Sequence, residues 1–208
     1  MNAPLSHPDL CAVLSVADHL VGRAGRTTLA LALRGSRAAR VLRHGVADAP
    51  GYGHFAGTPP DAVLAHIDAL IAGGVLRLAF HDGVPLLAYT ETGLQLAMRH
   101  AAAEWLAALQ SRVPAVAAGA ALELPPALAT IQERNQNTVL LLTDLVGRIA
   151  DAAWLSLLRA WSARETRRVR GRLAPIIAAL ERTAPGANRP HGSASPLRRA
   201  PAPPEAPA

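Results

Sequence analysis

The residues of this chain best placed to do chemistry are arginines, and the chemistry is anion binding. Arg34, Arg37, Arg40 and Arg43 recur at steps of three from the run Leu33-Arg34-Gly35-Ser36-Arg37 onward, with Ser36 between the first two. A guanidinium forks onto two phosphate oxygens, and a hydroxyl or a free amide adds a further donor. Ser36 is a good N-cap for a short helix in which Ala38, Val41 and Leu42 face inward. Arg37, Arg40 and Arg43 then lie on its other sides, and Gly45 closes it. Three exposed arginines on a short helix with a free N-terminus make an anion-attracting surface; a solvated helix face is the alternative. A second cluster, Arg164, Arg167, Arg168, Arg170 and Arg172, spreads around more than one face of a later helix. It reads as a broad basic surface, for phosphate or for water.

Other chemistries find no support. All 21 basic residues are arginine. A phosphate-loop lysine is therefore impossible, and no Gly-x-x-x-x-Gly-Lys run exists. Gly-x-Ser-x-Gly is absent. The eight histidines are scattered, with no His-x-x-x-His pair. The one cysteine, Cys11, excludes an internal disulfide and a cysteine-based zinc site and is expected in the core. No enzyme activity, cofactor or metal is expected. A net charge of +6 favours a polyanionic partner. The N-terminus has no signal-peptide pattern, and no apolar stretch reaches the ~18 residues of a membrane span, so a cytoplasmic protein is expected.

These residues need a frame. Residues 1–7 are expected to be loose. A first helix begins near Pro8 with Leu10, Val13, Leu14, Ala17 and Val21 inward. Thr27 is a suitable cap for a second, with Leu29, Ala32 and Leu33 inward, and Gly35 stops it. The loop 46–58 holds Tyr52 and Phe55 beside glycines and is expected to fold back on the body. Thr58-Pro59-Pro60-Asp61 reads as the start of a helix carrying Val63, Leu64, Ile67, Leu70 and Ile71. Val75–Phe80 and Leu86–Tyr89 are strand formers around the turn His81-Asp82-Gly83, with Pro85 at an edge or near the tip. Alternation puts Leu76, Leu78 and Phe80 on one face, with Phe80 outermost. Thr92 is the expected cap of a long helix buried through Leu94, Met98, Ala101, Trp105 and Leu109.

Residues 113–121 read as a linker or weak helix, and a helical hairpin broken near Asp151 follows. From Ala184 the composition is that of a disordered tail. The expected class is mainly α with a small β-hairpin: a winged helix over 8–112, then a helical C-terminal region, 113–183.

The ordered set Leu33-Arg34-Gly35-Ser36, Gly51-Tyr52-Gly53, helix, hairpin and Thr90-Glu91-Thr92-Gly93 resembles the RQC domain, the winged helix C-terminal to the motor of RecQ-type helicases. The resemblance spans roughly residues 8–97. It implies a module that binds duplex DNA near a single-strand junction with its wing at the duplex end. By position, Arg34, Ser36 and Arg40 match the phosphate-contacting stretch, Arg37 adjoins it, and Phe80 or His81 falls near the wedge that stacks on the last base pair. The wing is short, the motor and its zinc subdomain are missing, and the region after residue 112 has no counterpart.

The resemblance is closest to a stand-alone, minor RQC-type DNA-binding protein, bacterial, working with a helicase or nuclease in trans. A winged-helix regulator that reads the major groove and an interaction scaffold with a dimer face in 127–162 are the alternatives.

Overall fold

The computed structural model describes residues 5–131 and 135–183. The proposed disordered tail lies outside them. Helix α1 (His7–Leu20) starts earlier than expected because Ser6 caps it: its Oγ accepts from Asp9 N, and the Asp9 carboxylate accepts from Ser6 N. Cys11, expected in the core, is only half-buried.

Helix α2 (Arg26–Leu33) follows. Its N-cap is Gly25, not Thr27, and no side chain caps it. A Cβ on Gly25 would lie 2.8 Å from the Pro85 carbonyl oxygen of the hairpin, so the α1–α2 loop runs tight against the wing. Helix α3 (Ala39–Leu42) is a single turn, and a 3₁₀ turn over Val46–Asp48 leads into the aromatic loop. Helix α4 (Pro60–Ala72) is capped by Pro59 and not by Thr58.

The wing is β1 (Leu76–His81) paired antiparallel with β2 (Val84–Tyr89). Asp82 and Gly83 both have positive φ, 48° and 78°, as the two-residue type I′ hairpin turn requires. Gly22 N donates to Leu87 O and Leu87 N to Ala24 O, so the α1–α2 loop adds a short backbone bridge to β2. Tyr89 OH donates to Leu14 O, tying the wing to α1, and burial pushes this phenol well above its ordinary range.

Helix α5 (Glu91–Gln110) begins at a Thr90 cap, not Thr92. Thr90 Oγ1 accepts from Gly93 N at 3.0 Å and donates to Gly74 O, so one hydroxyl holds the base of the wing and the head of α5 together. Two cores result. One joins α1, α2, α4 and the hairpin through Val13, Leu29, Leu33, Val63, Ile67, Leu76 and Leu87. The other joins Ala102 and Leu109 of α5 to α6 (Val113–Ala117), α7 (Pro126–Ala129), α8 (Gln136–Ile149), α9 (Leu155–Ala163) and α10 (Arg167–Thr183).

One expectation holds in part and one fails in this region. Of the linker or weak helix read over 113–121 the helix is present, since α6 covers Val113–Ala117 and buries Val113 and Val116 in the second core. The face Leu94–Met98–Ala101–Trp105 is not the buried side of α5; Gly93, Ala97, Ala102 and Leu109 are, and the former four line an open cleft. The break near Asp151 is present: its carboxylate accepts from Ala153 N and opens the 3₁₀ turn Ala152–Trp154.

A Cβ on Gly93 would stand 1.8 Å from Val75 O, whereas one on Gly57 meets nothing within 4 Å. Gly93→Ala is expected to cost about 1–3 kcal/mol in a urea melt, the cost of overpacking a tight contact. Gly57→Ala should stay within about 0.5 kcal/mol of the parent, as open surface changes do.

Candidate nucleic-acid interface

The candidate interface is built at the C-terminal end of α2. Gly35 and Gly53, with φ of 74° each, let two backbone turns touch: a Cβ on Gly35 would meet the Gly53 Cα at 3.3 Å. Gly53 N donates to Ala32 O and Phe55 N to Leu33 O, closing the last carbonyls of α2. Tyr52 OH donates to Ser36 O at 3.0 Å, and Phe55 is buried and stacked on His66. Both aromatics are plugs, as expected. Arg34 is drawn into this seam, its Nε donating to Thr58 O at 3.0 Å. One edge of its guanidinium is thus spent on holding the loop at the head of α4.

Ser36 does not cap α3. The N-cap is Ala38, and Ser36 Oγ accepts from Ala38 N at 3.4 Å. A helix of four residues carries little macrodipole, so the α3 terminus adds little to anion binding and the arginines must supply it. Leu42, expected to face inward, is 37% exposed because only Val41 of this turn reaches the core. Arg37 and Arg40 are exposed, and neither has a partner among the described residues. Arg43 Nε donates to His44 Nε2 at 3.4 Å.

The His44 imidazole is held below its ordinary pKa by burial first, then by Arg43 and by Arg23. Sequence reasoning missed Arg23. It is exposed in the α1–α2 loop, next to the Gly22 that bonds β2. Its charge acts on His44, at the end of α3. The loop therefore carries positive charge from the α3 arginines towards the wing.

The hairpin presents its core face as Leu76–Tyr89, Leu78–Leu87 and Phe80–Pro85 pairs. Burial falls along this row. Leu76 and Leu87 are fully buried, Leu78 is half-buried, and Phe80 is 74% exposed. Phe80 thus continues the apolar face past the edge of the body. His81 is 80% exposed beside Asp82 at the turn, and Val84 is 55% exposed. Pro85 opposite Phe80 removes a backbone donor near the tip.

The RQC domain family model matches residues 8–107. Residues 8–107 belong to the RQC domain family. No curated protein and no solved structure matches the chain.

The RQC domain is the winged-helix DNA-binding module of RecQ helicases, so DNA binding is the function the match supports. Within this RQC domain α2 and α4 form the helix-turn-helix, and α4 stands where such a motif places its base-reading helix. Here α4 has no arginine, asparagine or glutamine; its polar residues are Asp61, His66 and Asp68, and Asp68 pairs with Arg26. Bases are read chiefly by arginine and amide side chains. Besides Arg26, the exposed arginines of the RQC domain lie elsewhere: on the α1–α2 loop, at and around α3, on β1 (Arg77) and on α5 (Arg99).

Arg167 and Arg168 lie outside the RQC match, exposed at the start of α10. Their neighbours are engaged: Arg164 Nη1 donates to Leu122 O, Arg170 Nη2 to Glu165 O, and Arg172 pairs with Asp144. The broad basic surface thus narrows to two free cations among the described residues. Cations at a helix start oppose the macrodipole, so these two do not serve helix stability.

Because burial outweighs both arginines in lowering the His44 pKa, Arg43→Gln should raise it without restoring the ordinary histidine value. A histidine depressed in the folded state contributes its stability above the unfolded pKa of about 6.5 and loses it as pH falls. An NMR pH titration of the His44 ring reads both points.

Proposed function

We propose that the chain is a non-enzymatic DNA-binding protein. It grips duplex or junction DNA through phosphates with its RQC domain and presents that DNA, within the nucleoid, to a helicase or nuclease supplied in trans. The observation that carries this reading is Phe80, an aromatic held 74% exposed at the tip of a wing whose flank is cationic. An aromatic at a duplex end replaces lost base stacking, worth about 1–3 kcal/mol per base. His81 and Val84 flank it. Arg37, Arg40, Arg43 and Arg23 supply phosphate contacts that read no sequence. Arg34 and Ser36 shape the seam below them, and Arg167 and Arg168 offer a second contact outside the domain. With two six-residue strands and no phosphate-loop lysine, the wing caps a duplex end and does not drive strands apart. The composition of α4 counts against major-groove reading by a regulator.

Fluorescence anisotropy at two salt concentrations tests this. Arg37→Glu with Arg40→Glu should weaken binding across sequences and flatten the log–log salt slope by about one for each phosphate no longer held. Arg34→Gln should also lower stability, by about 1 kcal/mol for the missing hydrogen bond to Thr58, which the other two changes should not. Phe80→Ala should cost about fivefold or more on blunt or forked duplex and nothing on closed circular duplex. Equal weakening on both would remove the wedge, and no binding to any DNA at low salt would remove the proposal.

A further inference from the structure

A cleft of about 800 Å³ opens between the second half of α1, the first half of α5 and the segment Pro125–Ala127. Its walls are of two kinds. Met98 and Trp105 of α5 supply apolar surface, and Trp105 is the one tryptophan of three that is not buried. Asp18, Asp48 and Glu104 supply three carboxylates against one guanidinium, Arg23, at the rim, with His19 and His100 beside them. The protein as a whole carries +6, so this is a local reversal of sign.

One buried group in the cleft lacks a partner, and one exposed carboxyl has a raised pKa. His100 Nε2 is buried without a hydrogen bond, Glu104 lying 3.5 Å away outside bonding geometry. Asp18 has access to solvent through the mouth of the cleft but sits among many protein atoms, and this raises its carboxyl above the ordinary range against the pull of His19 and His100. Such a site suits a cation carried next to an apolar side chain.

The chain contains one such segment beyond α10. Residues 196–199 read Pro-Leu-Arg-Arg, an apolar anchor followed by two guanidinium groups. The residues from 184 to 197 can span up to about 45 Å, more than the breadth of a domain this size. Tethering also gives the segment an effective concentration in the millimolar range. We propose that the cleft is a docking site for the chain's own C-terminal segment, with Leu197 against Trp105 and Met98, and Arg198 and Arg199 against Asp18 and Glu104. The cleft meets the proposed phosphate surface only at Arg23 on its rim, and its occupancy does not depend on the DNA-binding reading.

The test uses the full chain with Cys11→Ser, a nitroxide on Ser195→Cys, and the indole N–H signals of the three tryptophans. Trp105 should be attenuated several-fold more than Trp154 and Trp161. Asp18→Asn with Glu104→Gln should restore its intensity. Arg198→Ser with Arg199→Ser, which leaves every described residue unchanged, should do the same. An unattenuated Trp105, an attenuation that survives the Arg198 and Arg199 changes, or one that grows with protein concentration would overturn the proposal.

Discussion

The closure of the 51–58 loop over the C-terminal end of α2 is the constraint on which the rest of the candidate interface depends. Two turns of backbone touch at Gly35 and Gly53, where both glycines have positive φ and a Cβ on Gly35 would press on the Gly53 Cα at 3.3 Å. Around that contact Ala32 O and Leu33 O find donors in the loop, Tyr52 reaches Ser36 O, and Arg34 reaches Thr58 O. The first two bonds satisfy carbonyls at the end of α2 that would otherwise need water, and the other two tie the flanking loops together. They also fix where α4 starts relative to α2. With that angle set, α3 is held as a single turn on the outside of the domain, with Arg37 and Arg40 in solvent.

A second fastening, at Thr90, does the same for the wing. The hydroxyl donates to Gly74 O while accepting from Gly93 N, and Gly93 has no room for a side chain against Val75 O. The base of the hairpin is therefore rigid while its tip is free. The apolar row Leu76, Leu78, Phe80 passes from core to solvent along that lever. Charge is arranged to match. Arg23, Arg37, Arg40 and Arg43 lie on and around the single turn of α3 and on the α1–α2 loop, whereas α4 shows acids and alanines outward.

The arginines fall into two physical classes that residue type does not distinguish. Arg34, Arg112, Arg164 and Arg170 donate to backbone carbonyls, and Arg26, Arg159 and Arg172 pair with carboxylates. Arg37, Arg40, Arg167 and Arg168 do neither among the described residues. The cap residues teach the same lesson. Thr27, Thr58 and Thr92 have the right chemistry to cap and do not; the N-caps are Gly25, Pro59 and Thr90. Thr90, two residues earlier than expected, caps because it also reaches Gly74.

The amino-acid sequence by itself determined the order of helices and strands, the Asp82-Gly83 turn, the aromatic plugs and the apolar row leading to Phe80. Each of these follows from local periodicity or from the dihedral limits of a few residues. Only the tertiary structure decided which cations stay free, that the charge of Arg23 acts on His44, and that one side of α5 lines a cleft. These depend on groups distant in sequence meeting across loops, and no local pattern encodes such meetings.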